Sequence, residues 1–115
     1  MPYVIDDNFK HECIKRLEKY YERTLNEARK TIIEEDVVRC AYILVTCNEV
    51  ADELYRSDMD PKAILRDMWL YWDKAMSDSD NVHTWYHGQL KMTAIDTVAT
   101  EVFGIVTLFE KEVDL

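Results

Sequence analysis

The chain has 115 residues, 23 of them acidic and 14 basic, for a formal net charge of −9, and 48% of it is hydrophobic. That length predicts one α-helical domain over 1–115 with a core that needs neither disulfides nor metal, and the balance of apolar and charged residues excludes a disordered chain. An acidic surface also argues against the usual basic phosphate-binding face, so no direct nucleic-acid contact is expected.

Asp6, Asp7 and Asn8 place capping side chains and negative charge where a first helix begins. Ile14, Leu17, Tyr21, Leu25, Ala28 and Ile32 then recur at helical spacing, with Lys, Arg and Glu on the other face. Thr31-Ile32-Ile33-Glu34 reads as a capping box opening a second helix, and Glu34, Glu35 and Asp36 suit its first turn. This helix, over about 35–56, is apolar almost all round through Val37, Val38, Cys40, Ala41, Tyr42, Ile43, Leu44, Val45 and Cys47. Such a helix sits at the centre of a bundle or in a subunit interface.

Asp60-Pro61 is a strong start signal for a third helix. Ile64, Leu65, Met68, Trp69, Trp72 and Met76 form its main face, while Leu70 and Tyr71 lie off it. The helix therefore has more apolar surface than one neighbour covers. Ser77 to Asn81 is a loop and capping cluster before a long fourth helix over about 82–113. Along that helix Trp85, Gly88, Met92, Ile95, Ala99, Val102, Val106, Phe109 and Val113 recur three and four apart. If continuous it spans roughly 45 Å, with close helix contact or a kink at Gly88 and Gly104. The expected fold is all-α, an up-and-down four-helix bundle with a long C-terminal helix.

Cys13, Cys40 and Cys47 are an odd count without a CxxC pair. Cys40 and Cys47 stand roughly 10 Å apart along one helix, too far for a disulfide, so buried reduced thiols are expected. Met1 to Asp7 lacks the basic and apolar regions of a secretion signal, and the longest apolar run, Ala41 to Val45, is too short to span a bilayer. A soluble cytoplasmic protein without membrane contact is the expectation.

Two constellations carry possible chemistry. Glu18 and Glu22, four apart, share one helix face; Glu49 and Asp52, three apart, share another. Converging from antiparallel helices, they could hold Mg²⁺ against a nucleotide's phosphates. The segment Glu49-Val50-Ala51-Asp52-Glu53-Leu54-Tyr55 resembles the ExxD helix of the all-α nucleoside triphosphate pyrophosphohydrolases, the MazG-like enzymes and phosphoribosyl-ATP pyrophosphatases. The resemblance implies Mg²⁺-dependent cleavage between the α and β phosphates, with Glu18 and Glu22 standing for the upstream glutamates. It departs at position 19, where Lys19 replaces the second acid of a doubled glutamate, and in placing Asp52 near a helix end.

His83 and His87, four apart on one face, supply half of a transition-metal site. The run from His83 through His87-Gly88-Gln89-Leu90 is similar to the last metal-binding motif of DinB-like four-helix-bundle proteins, without the arginine those proteins place between His and Gly. His11 is the only other histidine. No glycine loop, nucleophile elbow or pair of ExxH motifs is present.

The reading that absorbs most of the sequence is a small, acidic, non-enzymatic interaction or regulatory module, an inhibitor or adaptor without a cofactor. It would dock through Trp69, Leu70, Tyr71 and Trp72 against a protein partner or a second copy, as a homodimer. The Mg²⁺-dependent hydrolase through Glu18, Glu22, Glu49 and Asp52 is the alternative, and metal binding by His83 and His87 the third reading.

Overall fold

In the computed structural model, which describes residues 6–109, side-chain caps open three of the four helices. Asp6 accepts the Phe9 N–H at 2.7 Å and starts α1 (Asp7–Lys30), whose last turn carries Arg29 and Lys30 against the helix dipole. Asp60 accepts the Ala63 N–H at 2.9 Å and, with Pro61 in the first turn, starts α3 (Pro61–Ser77). Asn81 accepts the His83 N–H at 2.8 Å at the start of α4 (Val82–Phe103).

The exception is α2 (Glu34–Arg56). The expected capping box at Thr31 does not form: the Thr31 hydroxyl accepts the N–H of Ile33, two residues on, and Ile33 stands at the cap position with no side-chain bond. The acidic first turn of Glu34, Glu35 and Asp36 is in place. Ile32, expected on the buried stripe of α1, instead lies in the connection and is 99% exposed.

The fold is an all-α four-helix bundle. Helices α2 and α4 pack against each other at its centre; α1 lies chiefly on α2, and α3 chiefly on α4. This accounts for one face of α2, where Cys40, Ile43, Thr46, Cys47, Val50 and Leu54 are buried, whereas Val37, Val38, Ala41 and Val45 of its apolar girth remain exposed. The core adds Cys13, Ile14 and Leu17 from α1, Ile64 and Leu65 from α3, and Ala94, Ile95, Val98, Ala99 and Val102 from α4. All three cysteines are buried and unpaired. No helix among the described residues is long and apolar enough to cross a membrane.

The fourth helix is shorter than the seam implied. Gly104 adopts φ 65°, a left-handed conformation that glycine takes without the Cβ penalty, and it ends α4 after Phe103. Its N–H bonds the Thr100 carbonyl, and the Ile105 N–H bonds that of Ala99. Beyond it the chain turns back over α3: Leu108 is buried, and Phe109 meets Trp69 edge-on with ring centroids 4.9 Å apart. Arg66 Nε donates to the Leu108 carbonyl at 3.0 Å and fastens this return. Of the nine-residue seam, Trp85, Val106 and Phe109 are exposed and Val113 lies outside the described residues. Gly88, by contrast, is a packing glycine inside α4: a Cβ there would stand 2.4 Å from Met76 Cγ.

Candidate functional site

Between the two central helices runs a short polar seam. Lys91, on α4, is 3% exposed in the middle of an apolar face. Its ammonium pairs with the Glu49 carboxylate and donates to Thr46 Oγ1 at 3.2 Å, both on α2. Thr46 Oγ1 in turn donates to the Tyr42 carbonyl one turn back. Burial raises the neighbouring Cys47 thiol to about 12, with the Lys91 charge pulling it partly back, so this thiol is inert at neutral pH. One turn before Lys91, His87 Nδ1 lies 2.5 Å from the Tyr42 hydroxyl, and its ring packs edge-on against Trp72 of α3 at 4.9 Å.

This seam braces one side of an open cleft of about 560 Å³ between α2 and α3. Met59, Ile64, Met68, Tyr71 and Trp72 supply its apolar and aromatic lining, and Glu49, Glu53 and Asp67 its charge. Among the described residues no basic side chain lines it. Glu49 is tied to Lys91, and Glu53 faces the exposed Arg56 at 3.9 Å. Asp67 makes no ion pair among the described residues. The cleft is therefore a surface of net negative charge over an apolar floor.

Of the aromatic segment expected to dock a partner, the structure assigns different duties to its members. Trp69 is half-buried beneath Phe109, so part of the surplus apolar surface of α3 is covered by the chain's own return. Trp72 is half-buried between His87 and Tyr71 and forms a wall of the cleft. Leu70 and Tyr71 remain 46% and 66% exposed.

The expected metal constellations are not assembled. Glu18 and Glu22 lie with Glu12, Lys15, Arg16 and Lys19 in a shallow groove on α1, while Glu49 turns to Lys91 and the α2–α3 cleft. Asp52 is exposed on α2. The four carboxylates fail to converge because α1 packs against α2 through Cys13, Ile14 and Leu17, which leaves Glu18 and Glu22 on the outer side. His83 and His87 are both exposed, and the His87 ring contacts Tyr42 and Trp72. Among the described residues no group of three or more His, Cys, Asp or Glu is placed to hold a metal ion.

Lys91 is the residue that sequence reasoning passed over. A signal was present: Lys91 stands three after Gly88 and four before Ile95, a lysine in register with an apolar seam. A second groove, of about 540 Å³ between α2 and α4, combines Val38, Ile43, Tyr86 and Leu90 with Glu34, Glu35 and Asp36. There Arg39 lines the wall and pairs with Asp36 at 3.6 Å, and Tyr86 is the one aromatic among the lining residues, against Tyr71 and Trp72 in the α2–α3 cleft. Comparison with protein-family models, with curated proteins and with solved structures finds no match for this chain.

Proposed function

We propose that this chain is a non-enzymatic interaction module, an adaptor or inhibitor, that docks a basic amphipathic helix of a partner protein in the α2–α3 cleft. The observation that carries the reading is the lining of that cleft. Five apolar or aromatic side chains form its floor and walls, and three carboxylates join them with no basic side chain among the described lining residues; Asp67 is the carboxylate without an ion pair there. A helix laying its apolar face in such a groove buries hydrocarbon and sets its cationic flank against the carboxylates. Tyr71, of the cleft wall, and its chain neighbour Leu70 are both exposed and available for apolar contact. The net charge of −9 steers a basic partner toward the molecule and speeds encounter at low salt.

The test is titration calorimetry of the full chain with a designed basic amphipathic helical peptide and with its charge-reversed counterpart. The double variant Leu70→Ser, Tyr71→Ser should keep the melting temperature of the parent and lose at least about tenfold in affinity, equivalent to 1.4 kcal/mol. Equal binding of the acidic peptide, or affinity unchanged in the double variant, overturns the reading. Sedimentation of the chain alone covers the other occupant: self-association abolished by the same variant reassigns the face to a second copy. The nucleotide hydrolase reading needs Glu18 and Glu22 beside Glu49, and these line separate surfaces.

A further inference from the structure

Two walls of the cleft bear charge, and they belong to different helices. Glu49 and Glu53, four apart, stand on α2; Asp67, with Tyr71 one turn on, stands on α3. Tyr71 and Trp72 meet at 88° with ring centroids 5.2 Å apart, so the α3 wall is an aromatic corner. Trp72 packs against His87, which in turn contacts Tyr42, so this side of the corner is braced, while Tyr71 is exposed on the other. Aromatic faces attract cations, and Asp67, which makes no ion pair among the described residues, adds to the attraction; Glu49 and Glu53 already face Lys91 and Arg56 and add acceptor oxygens rather than free charge.

We infer that the anchor of the docked partner is one arginine side chain, its guanidinium seated in the Tyr71–Trp72 corner between Asp67 and the α2 carboxylates. This deepens the docking reading above and rests on it. The chemistry selects among cations. A divalent metal needs converging oxygen ligands, and no such group stands among the described residues. A quaternary ammonium would carry no N–H, leaving the carboxylates without donors. A lysine ammonium is compact and strongly hydrated, so seating it over Met59, Ile64 and Met68 sacrifices more solvation. Guanidinium is planar, weakly hydrated and stacks on aromatic faces, and its five donors can reach carboxylates on two walls.

The experiment is nuclear magnetic resonance of the ¹⁵N-labelled full chain, following the indole N–H of Trp72, with those of Trp69 and Trp85 as internal controls. The probes are acetyl-arginine amide, acetyl-lysine amide and the neutral isostere acetyl-citrulline amide. Arginine should move the Trp72 signal saturably and leave the other two in place, with lysine weaker and citrulline weakest. Asp67→Asn should weaken the arginine effect about two- to fivefold, the range for one partly exposed charge pair, with the remaining spectrum unchanged. Citrulline as effective as arginine, lysine as effective as arginine, or Trp72 unmoved by all three overturns the arginine anchor. In that last case a basic helix that still binds through Leu70 and Tyr71 keeps the docking face, so the two readings fail separately.

Discussion

Two acidic surfaces of this molecule differ in what lies beneath the charge. On the outer side of α1, Glu12, Glu18 and Glu22 alternate with Lys15, Arg16 and Lys19, and no apolar side chain joins them. In the α2–α3 cleft, Glu49, Glu53 and Asp67 surround aromatic and thioether groups with no basic residue among them. The first surface is neutral within a helical turn and fully wet, so it has little to gain from a ligand. The second keeps one carboxylate, Asp67, without an ion pair among the described residues, beside half-buried aromatic and thioether groups, the combination that rewards an amphipathic cation. Carboxylate count alone does not distinguish the two.

The sharpest way to break this comparison is at Glu49, the one carboxylate that belongs both to the cleft and to the interior. Its side chain is 48% exposed, whereas that of Lys91 is 4% exposed. Glu49→Leu leaves a buried ammonium with Thr46 as its remaining partner, and is expected to destabilise the fold by about 3 kcal/mol. Lys91→Met removes the buried charge and leaves a carboxylate that water already reaches, so its cost should stay within about 1 kcal/mol. In thermal melts the first variant should fall by roughly 10 °C and the second by a few degrees at most. The reverse order would mean that Lys91 is a packing residue and that Glu49 is not held by it.

A smaller effect is expected where α3 is pressed against α4. Gly88→Ala sets a Cβ 2.4 Å from Met76 Cγ and 2.6 Å from its sulfur, so Met76 or the whole of α3 must move. Because the atoms in the way belong to a flexible, half-buried thioether chain, the cost is at the low end of overpacking, about 1 kcal/mol, and alanine's higher helix propensity offsets part of it. Met76→Ala on the same background should return much of it, and a double-mutant cycle by chemical denaturation measures the coupling. Because Trp72 lies on α3 and His87 precedes Gly88, the single variant should also perturb the Trp72 indole resonance. The α1 surface should feel nothing.

How much of this was legible in the sequence follows from the range of the interactions. Asp60-Pro61 and Asn81 act within one turn, and they start helices where the sequence places them. Thr31 failed as a capping box because its hydroxyl has a nearer donor in Ile33, a competition that spacing does not reveal. The seam through Gly104 looked continuous because three-four spacing carries on in the residues after a helix stops. The glycine's left-handed turn, and the pairing of Phe109 with Trp69 forty residues away, are settled by tertiary packing. The same holds for the carboxylates: Glu18 with Glu22 and Glu49 with Asp52 share faces as read, but which faces meet depends on the helix pairing. Lys91 was overlooked because a pattern of apolar positions has no place for a polar member whose partner lies on another helix.

The smallest expected effect is the most discriminating for function. Glu18→Gln, Glu22→Gln removes two negative charges from the α1 surface, where basic neighbours and water already screen them. Stability should stay within about 0.5 kcal/mol of the parent, as for other exposed substitutions. Affinity for the basic helix should be nearly unchanged at physiological salt, where the Debye length is about 8 Å and distant charges are largely screened. Asp67→Asn removes only one charge but takes it from the cleft wall, so calorimetry should show the larger loss there. If the α1 pair costs as much affinity as Asp67, the partner is gathered by the overall charge of −9 rather than by the cleft. Lowering the salt separates the two cases. Long-range attraction then strengthens, and the α1 variant should begin to lose affinity, while the deficit of Asp67→Asn is already present at physiological salt.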